Sequence, residues 1–230
     1  HRCRVHADVL PVCRVQDEQM ATPYRLRPGD VAPVQHSPTT CGSAALTVAR
    51  MLVDPVFATW VLSGEARGHG FLPELVDTDE RVAAAEQLVL RRTNRVIGPG
   101  RRLQPPWPRA LGTPPWGAQH ELEHGGSVPG TRYETRWCRV GGPDALRRQV
   151  RELTERVRDG RPAALYVGSA TLPRHVTLVV PGGGPGGLAV YDPATGPVRV
   201  LDVDAFAGRR LQLAGWDVPW CTVRPVAEQP

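Results

Sequence analysis

The chain has 230 residues, of which 41% are hydrophobic, and this suits a single large domain with its own hydrophobic core. The formal net charge is +5, and all 28 basic residues are arginines because the chain contains no lysine. No apolar run approaches the roughly 18 residues that span a bilayer, and the densest arginine stretch, residues 91–109, is rich in proline and glycine, so we expect neither a membrane span nor a nucleic-acid partner.

The first 140 residues contain few regular elements by pattern. Residues 1–30 predict an irregular N-terminal arm, and residues 31–230 a main domain with a proline- and arginine-rich insertion around 54–137. A helix is predicted over 41–53, with Thr39 or Thr40 as its cap, Asp54-Pro55 as its stop and one face packed inward. A second helix is predicted over 79–92, a proline-rich surface excursion over 98–117, and a strand over 131–140.

The last 90 residues are strongly patterned. Apolar residues at helical spacing predict an amphipathic helix over 143–160 that ends at Gly160. The hydrophobic period then changes from 3.6 to 2 and predicts five short strands, over 163–168, 175–180, 188–192, 198–201 and 217–224. Helices first and strands later indicate an α+β fold with an antiparallel sheet.

Cys41 stands in the sequence QHSPTTCGSAALTVARM at the start of the first predicted helix. A helix N-terminus carries partial positive charge and unpaired N–H groups, which favour a thiolate over a thiol. Gly42 directly after it would leave the approach to the sulfur uncrowded. By itself this position fits either a nucleophile or a buried inert thiol.

His175 and Asp192 flank a glycine-rich loop between two alternating runs, which predicts a β-hairpin. Folding the hairpin symmetrically about residues 183 and 184 places His175 directly opposite Asp192, so that both side chains share one face. A carboxylate facing an imidazole orients a catalytic base and stabilises the imidazolium. Each residue alone also fits an ordinary strand histidine and a turn aspartate before proline.

Gln35 lies six residues before Cys41, across a turn that contains Pro38. Acyl transfer through a thiolate builds negative charge on the carbonyl oxygen, which needs fixed donors. The Gln35 side-chain amide and the Cys41 backbone N–H are the candidate donors. An exposed loop glutamine is the alternative interpretation.

These residues together resemble the papain-like cysteine peptidases. The pattern is Gln35, Cys41-Gly42, His175 followed by an apolar run, and Asp192 in a YDPATG turn. Within that superfamily the sequence is similar to the bacterial double-glycine leader peptidases and their stand-alone relatives. The resemblance covers residues 33–53 and 143–224, and it implies a papain-like fold, a helical part carrying the nucleophile helix packed on a C-terminal antiparallel sheet.

A second motif, HELEH at residues 120–124, fits the HExxH pattern of zinc peptidases, with Glu121 as the general base. Prolines before the segment and glycines after it leave room for a helix of only two to three turns. A zinc site would also need a third ligand, and the downstream His175 is already assigned to the pair with Asp192. The five cysteines show no CxxC spacing, so they fit two disulfides plus one thiol, or buried free thiols.

The sequence therefore predicts a cysteine peptidase that acts on a peptide or protein through Cys41, His175, Asp192 and Gln35, without a cofactor or metal. A same-fold acyltransferase or deamidase effector, an inactive peptide-binding module and a zinc peptidase through HELEH remain as alternatives. No signal peptide is recognisable, and because the chain starts at His1 rather than Met, its compartment and any upstream segment stay open.

Overall fold

The structure is a computed structural model that describes residues 23–65, 77–97, 103–108, 111–184 and 186–227. The helices are α1 Cys41–Met51, α2 Pro55–Ser63, α3 Thr78–Thr93, α4 Pro115–Glu121, which continues as a π-helical turn Leu122–Gly126, α5 Pro143–Arg156 and α6 Val203–Ala207. The strands are β1 Tyr133–Trp137, β2 Ala163–Gly168, β3 Pro173–Pro181, β4 Leu188–Tyr191, β5 Val198–Val200 and β6 Val218–Pro225.

The six strands form one antiparallel sheet in the order β1-β6-β2-β3-β4-β5. Alternate residues along β2 separate two hydrophobic cores: Ala164 and Tyr166 pack with α1, whereas Leu165 and Val167 pack with α5 and α6. The α+β fold is therefore confirmed, with the first helices on one face of a sheet built mainly from the C-terminal half. This is the arrangement that the papain-like resemblance implies.

Helix α1 is buried on all sides and not on one face alone. Every residue from Cys41 to Ala49 is buried, because β3 lies on one side of the helix and α2, α3 and the π-helical turn lie on others. A helix that is apolar or small all round is typical of a domain centre. The predicted inward face is thus buried as expected, and the remaining faces of the helix are buried as well.

Asp54-Pro55 ends the first helix but also begins another. The Asp54 side chain accepts a hydrogen bond from the Phe57 N–H at 2.9 Å and caps α2, and Pro55 occupies the first turn. Proline is well tolerated there because that N–H has no helical partner. Helix α2 was not predicted from the sequence, because Asp54-Pro55 was interpreted only as a stop.

The range 54–137 contains packed elements as well as loops. Helices α2 and α3 contact α1, and β1 forms an edge of the main sheet. The predicted surface excursion over 98–117 is wrong for its last part, because residues 112–115 are buried. Most of the predicted N-terminal arm, residues 1–22, lies outside the described residues; residues 23–30 contain one turn and neither helix nor strand.

Within the described ranges, no single helix is long and apolar enough to cross a membrane. Helices α1 and α2 taken together pass that test by length and composition, with a bend of 118° between them.

Candidate active site

Cys41 is the first residue of α1, as predicted, and is only 4% exposed. Thr40 occupies the cap position, but its hydroxyl does not cap the helix. It donates to the Ser37 carbonyl at 2.8 Å and accepts from the Ser37 N–H at 3.1 Å. Thr40 thereby closes the turn over residues 37–40. Cys41 follows this turn directly and lies at the positive end of the helix dipole.

Gly42 is required by close packing at the start of α1. A Cβ atom at this position would lie 2.6 Å from the Cβ of Thr113, a distance that real side chains do not adopt. The segment containing Thr113 is also fixed by the Tyr166 hydroxyl, which donates to the Thr113 carbonyl at 3.1 Å. No local sequence pattern marks Thr113 and Tyr166 as neighbours of Cys41, because they come from distant parts of the chain.

His175 and Asp192 form a buried pair. The His175 Nε2 lies 2.7 Å from the Asp192 Oδ1, and the two residues are 5% and 7% exposed. Asp192 also accepts the Ala194 N–H at 3.0 Å and the Gly196 N–H, through its backbone carbonyl, at 2.7 Å. Asp192 is therefore both a turn residue and the partner of the imidazole, so both interpretations of this residue apply.

The predicted hairpin register was wrong by two residues. In β3 and β4 the pairs are Leu178 with Tyr191 and Val180 with Ala189. Continued by one residue, this register places Thr177 opposite Asp192, with His175 as the diagonal neighbour of Asp192. A shift of two keeps the same face, because side chains alternate with a period of two, and diagonal neighbours remain within reach of a long side chain.

His175 also lies close enough to Cys41 for the thiol to affect the pKa of the imidazole. Because Nε2 faces Asp192, Nδ1 is the ring nitrogen left for the sulfur. Burial alone would lower the pKa of His175, but the hydrogen bond and charge of Asp192 and the interaction with Cys41 outweigh burial and raise the pKa to about 9. Burial would raise the pKa of Asp192, yet the hydrogen bond and charge of His175 lower it. These directions favour an imidazolium facing a carboxylate.

Gln35 lies just before the turn over residues 37–40 that leads to Cys41. Its backbone N–H donates to the Pro193 carbonyl at 2.8 Å, and its side-chain Nε2 donates to the Ser37 carbonyl at 2.8 Å. Since a primary amide carries two hydrogens, one remains for a ligand. Its Oε1 is buried and has no hydrogen-bond partner among the described residues.

Glu86 is a further polar residue at the turn before Cys41, and it was not predicted from the sequence. It lies in α3 with 0% exposure, and its two carboxylate oxygens accept the His36 N–H at 3.1 and 3.3 Å. Burial raises the pKa of Glu86, against opposing contributions from the His36 N–H and the Thr40 hydroxyl. The available signal in the sequence was helical periodicity, which indicates that position 86 faces inward. Periodicity does not indicate what the carboxylate contacts.

Two other cysteines lie in the described part of the chain, Cys138 and Cys221, and both are free and buried. Burial raises the pKa of Cys138 to about 12 and that of Cys221 well above its usual value. Cys3 and Cys13 lie outside the described residues. Of the described thiols, only Cys41 faces an imidazole.

The HELEH segment forms the short helix that its flanking residues predict, as the end of α4 and the π-helical turn. Glu121, the predicted base, is paired with Arg92, whose Nε donates to its Oε2 at 3.1 Å. The His124 Nδ1 contacts the His120 carbonyl at 2.8 Å. In the ranges that the structure describes, no group of three histidine, cysteine or carboxylate residues is placed to hold a metal ion.

No protein-family model matches the sequence, and no curated protein matches it significantly. Among solved structures, the Pseudomonas avirulence protein AvrPphB is similar to this chain with a TM-score of 0.46 and 15% sequence identity. The similarity covers 86% of this chain and 97% of that one. A likeness in fold does not carry an activity from one protein to another.

Proposed function

We propose that this protein is a papain-like cysteine hydrolase that attacks an amide carbonyl of a peptide or protein, with Cys41 as the nucleophile. The observation that supports this most is the buried pair of His175 and Asp192, with Nε2 2.7 Å from Oδ1, close to Cys41 at the N-terminus of α1. The sequence resemblance to the double-glycine leader peptidases, a subgroup of this superfamily, is part of the same proposal. It bears on which substrate the enzyme cleaves.

In the first step, the Cys41 thiolate attacks the carbonyl carbon and a C–S bond forms. The imidazolium of His175 then gives its proton to the leaving amine as the C–N bond breaks, leaving a thioester on Cys41. Asp192 keeps the imidazole oriented and stabilises its charged form. Water activated by the neutral His175 hydrolyses the thioester and returns the site to its initial state.

The oxyanion formed in both steps needs donors at the start of α1. The Cys41 backbone N–H and the unused amide hydrogen of Gln35 are the proposed pair. Removing one such donor typically lowers kcat by about 100- to 1,000-fold. If an amine rather than water enters the thioester, the same residues perform transamidation, and if the substrate is a glutamine side chain, they perform deamidation.

The test is alkylation by iodoacetamide at pH 6, followed by mapping of the labelled cysteines by mass spectrometry. A free thiol with a pKa near 8.5 is less than about 1% thiolate at this pH. We expect Cys41 to react at least about ten times faster than glutathione, and His175→Ala to abolish the difference. Cys138 and Cys221 should stay unlabelled in the folded protein, because burial raises the pKa of both thiols and leaves them protonated at pH 6.

His124→Ala is the matched control, since it removes an exposed histidine outside the proposed site. It should leave the Cys41 rate unchanged. If iodoacetamide alkylated Cys41 no faster than glutathione, the proposed enzymatic activity would be refuted. An inactive peptide-binding module would then be favoured. Activity that a chelator removes would favour the zinc alternative.

A further inference from the structure

We propose that Glu86 is a positioning residue that holds the oxyanion-binding turn, residues 35–41, in place through the His36 N–H. This inference rests on the cysteine-hydrolase function proposed above and assigns part of its machinery to α3.

Glu86 is an unusual residue for its position in the helix. It lies near the middle of α3 and is completely buried, where an apolar side chain would cost less to desolvate. Its neighbours on the same helix face, Val82 and Val89, are the apolar residues expected there. The Glu86 carboxylate is turned toward a backbone N–H of the turn that leads to Cys41.

Two successive backbone groups anchor this turn to different elements. The Gln35 N–H is bonded to the Pro193 carbonyl, beside Asp192, and the His36 N–H is bonded to Glu86. The Gln35 amide and the Cys41 N–H can serve as a pair only if the turn between them keeps its shape. A misplacement of about 1 Å can lower a rate by about 100-fold, so the anchor at His36 bears directly on the donor geometry.

Two probes separate the oxyanion donors from the nucleophile. With p-nitrophenyl acetate, the Cys41 sulfur bonds to the acetyl carbon, an oxyanion forms, and the C–O bond breaks to release p-nitrophenolate. With iodoacetamide, the sulfur displaces iodide at a CH₂ carbon, and no oxyanion forms. The ratio of the two rate constants therefore reports on the oxyanion donors at constant thiolate reactivity.

Glu86→Leu removes the acceptor and leaves the His36 N–H unbonded. We expect the acylation rate to fall by about 100-fold, as for a misplacement of about 1 Å, while the alkylation rate stays within about twofold of the wild type. Glu86→Gln should retain most of the acylation, because its side-chain oxygen can still accept from the His36 N–H. A purely structural role would not produce a selective loss with rescue by glutamine.

The rates are measured on the full chain at pH 6.5, with Cys41→Ser subtracted as background. Val82→Ala, on the same helix and buried, is the matched control for general destabilisation and should leave the ratio unchanged. Gln35→Ala is the positive control and should lower the ratio. If Glu86→Leu fails to fold, Glu86→Asp withdraws the carboxylate by one methylene and should also lower the ratio.

An unchanged ratio in Glu86→Leu or Glu86→Asp, or equal losses of both rates, would overturn the positioning role. Failure of the hydrolase itself is seen separately, in the wild type, as slow alkylation and no p-nitrophenolate burst. The two failures are therefore distinct.

Discussion

His175 and Asp192 couple the proposed chemistry to stability. The pKa of His175 is raised from 6.5 to about 9, so the folded protein holds this proton more tightly than the unfolded chain does. The resulting stabilisation is complete below pH 6.5 and is lost as the pH rises through about 9. The lowered pKa of Asp192 acts in the opposite direction, and its stabilisation is lost only as the pH falls below the normal aspartate range.

This pair makes a prediction for the pH dependence of unfolding. The free energy of unfolding of the wild type should fall by on the order of 2 kcal/mol between pH 6.5 and 9. Asp192→Asn removes the charge that holds the proton on His175 and should flatten this fall. Urea unfolding at a series of pH values measures both, and parallel curves for the two proteins would contradict the assignment.

At the scale of elements, patterning and capping determine most of the helices and strands. The strand over 163–168 was predicted with the bounds that the structure has, because alternation and burial agree along β2. The helix predicted over 143–160 ends at Arg156, four residues early. Helix α6 was missed because five residues are too few to show a helical period.

The α2 cap gives a prediction at this scale. Asp54→Ala should lower the free energy of unfolding by about 1 kcal/mol, because it removes the acceptor for the Phe57 N–H. Asp54→Asn keeps a capping oxygen and loses only the half-exposed ion pair with Arg50, which is worth well under about 1 kcal/mol. Thermal unfolding of the two variants separates these contributions, and equal losses would show that the ion pair dominates.

At the scale of the whole molecule, packing between distant segments shapes the site. Thr113 lies against Gly42 although some 70 residues separate them, and Gly112 approaches the Thr39 carbonyl in the same contact. Helix α1 is therefore enclosed at its N-terminus by a part of the chain that its proline content had suggested was surface loop.

Gly42→Ala tests this contact. The added Cβ would meet Thr113 at 2.6 Å, and such overpacking typically costs about 1–3 kcal/mol. Gly125→Ala is the control, because a Cβ there meets nothing within 4 Å. Urea unfolding should show a loss in the free energy of unfolding for Gly42→Ala and none for Gly125→Ala. The double variant Gly42→Ala with Thr113→Gly should recover part of that loss.

By itself the sequence determined the α+β class, the position of Cys41 at a helix start, and the pairing of a histidine with an aspartate across one hairpin. These follow from local periods, caps and turn residues, which act over a few residues. Only the tertiary structure decided the two-residue shift of the hairpin, the burial of α1 on every side, and the contacts of Thr113 and Glu86 at the proposed site. Those depend on which distant surfaces meet, because side-chain volume and buried hydrogen bonds are satisfied across the fold and leave no periodic trace in the chain.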